Sequence, residues 1–307
     1  MTLDETAKGV FTIAVTPFTD SCALDLDSVD RVVDFYLEKG ATGLTILGIM
    51  GEAGKLSAEE SAALVGRVMA RADVPVVVGV SANGYAPMKA LSDASMDAGA
   101  AGVMVAPPHS LKSDAQIVSY YHGVAETLGD VPFVLQDFPL VTGVVVPVSV
   151  ILQIVRDCPT CVMLKHEDWP GLEKISALRA ASDAGDRRIS ILCGNGGLFL
   201  PEEMQRGADG AMTGFSYPEM MAQVVTAHNA GDVARARDVF DTYLPLARYE
   251  SQPGAGLAIR KQVLFQRGAI ASAKVRAPGP SLTAKAINEI DQMIERQTLR
   301  LNEFEIG

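Results

Sequence analysis

The sequence of 307 residues is short of cysteine and of positive charge, and it has no long apolar run. Four Cys exclude a disulfide-built scaffold, and a chain of this length buries a sufficient core without such staples. The 26 Lys and Arg against 37 Asp and Glu leave a net charge of −11, a field that repels phosphate backbones and anionic lipid. No nucleic-acid or membrane partner is therefore expected. The longest uncharged stretch, 138–155, is broken by Pro139, Gly143 and Pro147, which excludes a transmembrane helix. Met1 to Gly9 holds no basic stretch followed by an apolar one, so no signal peptide is read there and a cytoplasmic location is expected. No GxGxxG fingerprint or P-loop lysine pattern occurs. Cys158 and Cys161 stand in a C-P-T-C pair. They follow a helical pattern and lead into a strand, where the helix dipole disfavours a thiolate, so they read as a turn with two part-buried thiols.

What the sequence does contain is alternation. Eight β-rich runs recur, at 10–16, 44–48, 76–80, 103–106, 133–136, 162–165, 189–193 and 211–214. They are near-continuous in Val, Ile and Leu, as parallel strands covered on both faces require. Helical patterns separate them. Val29, Val32, Val33, Tyr36 and Leu37 repeat three and four apart before Gly40, and Ser57 with Glu60 and Ser113 with Gln116 form capping-box pairs. Eight such units predict a (β/α)8 TIM barrel over 1–230. Four further helical patterns follow, at 218–228, 233–249, 257–266 and 284–299, and the last three make 231–307 a C-terminal helical extension packed on the barrel as part of one structural domain.

A barrel of this kind carries chemistry where strands meet their following loops. Those places are Thr16 and Pro17, Gly48 to Glu52, Ser81 to Asn83, Pro107 to His109, Gln136 to Phe138, Lys165 to Asp168, Gly194 to Gly197, and Ser216 with Tyr217. Lys165 stands out. It shares strand parity with Cys161 and Met163, and a desolvated lysine can serve as a neutral nucleophile toward a carbonyl. The competing reading is a strand-end lysine that snorkels to water or pairs with Glu167 or Asp168. His109 titrates in the range of proton transfer, or is a surface histidine. The Gly194-Asn195-Gly196-Gly197 turn cradles an anion, or is a loop that needs positive φ. Ile49, Met50, Phe138 and Trp169 make the mouth apolar.

Several segments together resemble the dihydrodipicolinate synthase and N-acetylneuraminate lyase superfamily of Schiff-base barrels. They are Thr16-Pro17-Phe18, Gly48-Ile49-Met50-Gly51-Glu52, Leu135-Gln136-Asp137-Phe138-Pro139, Leu164-Lys165-His166-Glu167 and Gly194-Asn195, with Pro201, Gly207 and Gly210 beyond. The resemblance implies that Lys165 forms a Schiff base with pyruvate or another 2-oxo acid, without a cofactor or metal. It also implies a homodimer or homotetramer. It puts Ile49 and Met50 where the family keeps two hydroxyls for the substrate carboxylate, Gln136 where it keeps a shuttle tyrosine, and Val141 where the synthases keep an arginine. An amide cannot act as a general acid at neutral pH, so Gln136 orients and does not ionise. The expected site is Lys165, Gln136 and His109 for catalysis, with Ile49, Met50, Gly51, Glu52, Phe138, Gly194 and Asn195 lining the substrate.

The function expected is a lyase (aldolase, synthase or dehydratase), with strict dihydrodipicolinate synthase activity disfavoured by these departures. Two alternatives stand beside it. One is metal-assisted chemistry on Glu52, His109, Asp137, His166 and Asp168, whose imidazoles and carboxylates all lie at strand ends. The other is a non-catalytic carbonyl-binding barrel.

Overall fold

The computed structural model describes residues 1–169 and 171–304. The eight strands are β1 (Gly9–Ile13), β2 (Gly43–Ile46), β3 (Val76–Gly79), β4 (Gly102–Val105), β5 (Phe133–Asp137), β6 (Cys161–His166), β7 (Ser190–Cys193) and β8 (Gly210–Ala211). They pair in parallel in chain order, and β8 closes the barrel on β1 through Val10 and Ala211. The ordered ladder is shorter at several C-terminal ends than the apolar runs. Beyond Ile13 and Ala211 the chain stays buried, at Val15 and Phe215, because helices still cover the rim after strand pairing has stopped.

The helices between strands are α1 (Leu26–Glu38), α2 (Ala58–Arg71), α3 (Tyr85–Asp97), α4 (Asp114–Leu128), α5 (Pro139–Thr142), α6 (Val148–Asp157), α7 (Leu172–Asp183) and α8 (Leu200–Gln205). After β8 come α9 (Pro218–Asn229), α10 (Val233–Glu250), α11 (Gly256–Gln266) and α12 (Ala284–Glu303). The uncharged stretch expected not to span a membrane forms α5 and α6, separated at Gly143, whose φ is +67°. Among the described residues no helix is long and apolar enough to cross a membrane. Ser57 and Glu60 form the full reciprocal capping box of α2. The pair at α4 is only half of one. Ser113 accepts from Gln116 N–H, but the Gln116 side-chain oxygen accepts from Lys112 N–H, one residue before the cap.

Burial on both faces explains the apolar strands. Val10, Leu44, Ile46, Val76, Val78, Val103, Val105, Leu135, Leu164 and Ile191 pack outward in the layer shared with the helices. Phe11, Ile13, Val77, Met104, Val134, Met163, Leu192 and Met212 fill the inside. The Phe11 ring fits only because position 43 is glycine, since a Cβ there would lie 2.6 Å from its ring carbons.

One expectation about parity is corrected. The register between β5 and β6 shifts between Phe133, which pairs with Cys161, and Val134, which pairs with Met163. This bulge inserts one residue into β6 and breaks its alternation, so Cys161 joins the outer layer while Met163 stays inside. Lys165 keeps parity with Met163 and not with Cys161. Burial pushes the Cys161 thiol up to about 12 and raises that of Cys158, so neither is poised as a thiolate.

Candidate active site

Lys165 ends the inward row of β6 and is buried. Its Nζ lies 2.9 Å from Glu167 Oε2, and the same oxygen accepts a 2.7 Å hydrogen bond from Gln136 Nε2. All three side chains are buried at the mouth, above Met104, Met163 and Met212 of the inner layer. Strand geometry makes this cluster. Gln136 pairs with Lys165 across β5 and β6, so both face inward, and Glu167 lies two residues beyond Lys165 on the same side. Gly194 leaves the space that Glu167 occupies: a Cβ there would lie 2.1 Å from Glu167 Cγ. Its place in the site is thus a steric one, seating the carboxylate on the lysine. An ammonium and a carboxylate in this contact can exchange a proton, and Gln136 fixes the carboxylate while ionising in neither direction.

The outward neighbours form a separate network behind the same strands. Lys174 Nζ, from α7, contacts Asp137 Oδ2 at 2.6 Å, Asp168 Oδ2 at 2.7 Å and the Val146 carbonyl at 2.9 Å. Burial raises Asp137 to about 6 against the pull of Lys174, and burial lowers His166 to about 4. Behind β7, burial lifts the Glu203 carboxyl to about 8.

The other expected residues separate. Thr16 Oγ1 donates to the Gly51 carbonyl at 2.5 Å, holding the β2 loop, and Glu52 N–H donates to Ile49 O. The Glu52 side chain turns away from the mouth. Its Oε1 accepts from Lys261 Nζ at 2.5 Å, and its Oε2 accepts from Lys55 Nζ at 2.9 Å and from Arg276 N–H at 3.0 Å. Left-handed backbone at Glu52, φ +56°, aims it there. Ile49 is exposed at the rim and Phe138 is half-buried. Trp169 and Phe199 meet edge to face at 4.9 Å on the β6 and β7 loops. Asn195 takes φ +51°, and Gly196 N–H donates to Thr213 Oγ1, so the glycine-rich turn is tied to β8. His109 is exposed on the β4–α4 loop, where its carbonyl accepts from Lys112 Nζ at 2.7 Å. Of the five strand-end groups considered as metal ligands, Asp137, His166 and Asp168 gather around Lys174 behind the strands, Glu52 faces Lys261, and His109 stands on the β4–α4 loop. Among the described residues no three His, Cys, Asp or Glu side chains are grouped to hold a metal ion.

Sequence reasoning offered Glu167 only as a bland partner for Lys165, although its strand parity already put it on the same face. It missed Lys261 and Arg260, which come from α11 and reach the rim of the barrel from outside it.

A closed parallel barrel with a buried amine and carboxylate paired at its C-terminal mouth has the architecture of the barrel enzymes. Residues 6–297 match the model of the dihydrodipicolinate synthetase family. The chain therefore belongs to that family and is a lyase. It is 29% identical to an L-2-keto-3-deoxyarabonate dehydratase of Azospirillum brasilense, over 90% of this chain and 89% of that one. It is 30% identical to a 4-hydroxy-tetrahydrodipicolinate synthase of Methanothrix thermoacetophila, over 78% of this chain and 81% of the other. A crystal structure of dihydrodipicolinate synthase from Rhodopseudomonas palustris superimposes with a TM-score of 0.95 at 54% identity, covering 96% of this chain and 99% of that one.

Proposed function

We propose that this lyase binds pyruvate or another 2-oxo acid as a Schiff base on Lys165, with Glu167 carrying the protons. The observation that supports it most is the 2.9 Å contact between Lys165 Nζ and Glu167 Oε2 on the inward face of β6. Glu167 accepts a proton from the Lys165 ammonium, and the neutral amine adds to the keto carbon. The proton returns to the departing hydroxyl, water leaves, and an iminium remains. Loss of a proton from the carbon next to the iminium gives an enamine, the species from which either elimination of a hydroxyl or making and breaking of a C–C bond proceeds. Gln136 holds Glu167 in place throughout.

Val141, exposed on α5, brings no cation to the place where the synthases of the resembling superfamily keep an arginine. Condensation of pyruvate with aspartate semialdehyde is accordingly disfavoured. The exposed apolar side chains of Leu140, Val141 and Val145 support burial against a further copy, as a homodimer or homotetramer. A cytoplasmic location belongs to the same reading, and the free thiols fit a reducing compartment.

Borohydride reduction in the presence of pyruvate, followed by intact mass and peptide mapping, tests the proposal. A stable adduct on Lys165 is expected. No adduct across a panel of 2-oxo acids, or one on another lysine, would overturn it.

A further inference from the structure

Arg260 of α11 is buried, and its Nε pairs with Glu250, whose second oxygen accepts from Ser216 N–H at 3.2 Å. Its Nη1 is different. That nitrogen is shielded from solvent and has no hydrogen-bond partner among the described residues. A buried guanidinium nitrogen with unmet donors carries the desolvation cost of a polar group without compensation, and an anionic oxygen is the partner that best relieves it. The position of Nη1 is set by Gly214, where an added Cβ would lie 2.7 Å from Nη1 and 2.5 Å from Met50 Sδ. Gly214 lies two residues beyond Met212 of the inner layer, so this point is on the mouth side of β8. β6 and β8 both border β7, which separates them by roughly 10 Å, a span that a lysine and an arginine reaching inward can close around a small acid. Met50, partly buried against the inner layer, lies over the spot.

Resting on the Schiff-base reading of Lys165, we infer that Arg260 Nη1 is the receptor for the substrate carboxylate, and that the Met50 side chain is its displaceable cover. A 2-oxo acid held on Lys165 directs its carboxylate toward β8, Met50 swings out, and Nη1 donates to the carboxylate oxygens. Met50 has the soft, unbranched side chain that makes such a movement inexpensive. An anionic 2-oxo acid then binds far better than a neutral ketone of the same shape.

The experiment compares borohydride trapping of pyruvate with that of pyruvamide, its neutral analogue, in the parent, Arg260→Lys and Met50→Ala. Arg260→Lys keeps a cation beside Glu250 and removes the guanidinium fork. In the parent, half-saturation by pyruvate is expected at a lower concentration than by pyruvamide. That preference should shrink roughly 10- to 100-fold in Arg260→Lys, the usual range for losing a hydrogen bond to a charged group. Met50→Ala should improve pyruvate and leave pyruvamide unchanged. Because each ratio is taken on one protein, partial misfolding of a variant cancels. An unaltered preference in Arg260→Lys overturns the inference while leaving the Schiff base standing. If the parent traps neither compound, the Schiff-base reading has failed. The carboxylate site is then decided by L-lactate, which has a carboxylate and no ketone. Thermal stabilisation of the parent by lactate, lost in Arg260→Lys, supports the inference, and equal stabilisation of both, or of neither, contradicts it.

Discussion

Lys165 and Lys261 are both buried lysines paired with a glutamate, and they sit in regions of opposite character. Lys261 is fully enclosed between α11 and the β2 loop, with Glu52 Oε1 at 2.5 Å, the Lys274 carbonyl at 2.9 Å and the Phe18 ring centroid at 4.5 Å. Its three donors are met by a carboxylate, a carbonyl and a ring face. Burial lowers its pKa, and its side chain is fully enclosed. Lys165 has one carboxylate partner among the described residues and stands at the barrel mouth. Burial and a depressed amine pKa therefore do not mark a nucleophile by themselves. The proposed nucleophile differs in being an incompletely satisfied amine beside a proton acceptor at the mouth.

The contrast predicts that the two lysines fail differently. Lys261→Met leaves Glu52 buried with only Lys55 and the Arg276 amide, and the loss of one member of a buried pair costs about 3–5 kcal/mol. Urea unfolding should show that loss, while the folded fraction still traps pyruvate. Lys165→Ala also leaves a buried carboxylate, Glu167, with Gln136 as its partner, so its midpoint falls too, but here the folded fraction should form no adduct. Loss of trapping in folded Lys261→Met, or retained trapping in folded Lys165→Ala, would erase the distinction between clamp and nucleophile.

Behind β7, Glu203 provides a smaller test confined to one pH range. Its folded-state pKa of about 8 lies above the ordinary carboxyl value of 4.5, so the folded protein favours the neutral acid. Its cost to stability grows as pH rises from 4.5 toward 8 and is fully present above 8. Glu203→Gln should therefore gain stability relative to the parent at pH 8.5, on the order of a few kcal/mol at most. It should gain little at pH 5. A difference between the two proteins that does not vary with pH would show that Glu203 is not the titrating group.

Much of the architecture was legible in the chain, for a physical reason. Strands buried on both faces must be apolar throughout, and their alternation with amphipathic helices admits few topologies. Lys165 was visible because a charged residue directly after Met163 and Leu164 is costly unless it faces the mouth. The bulge at Cys161 was not visible, since inserting one residue leaves the apolar composition unchanged. Nor were the tasks of Glu52, Lys261 and Arg260. Glu52 lies 209 residues from Lys261 along the chain, and no local pattern in α11 tells that two of its cations reach the barrel rim. Gly194 was found as part of a loop, while its steric reason, room for Glu167, needed the packed neighbour.

The central claim is that Glu167, not Gln136 or His109, moves the proton of Lys165. Single-turnover imine formation with pyruvate, followed by quenched borohydride trapping across pH in the parent and in Glu167→Gln at equal folded fraction, tests it most directly. A positioned acid–base group contributes about 10²–10⁴-fold, so the variant should form the Lys165 adduct slower by that factor near neutral pH. At high pH, where hydroxide in solution can take over as the base, the gap should narrow. An adduct forming at the parental rate at every pH would contradict the account.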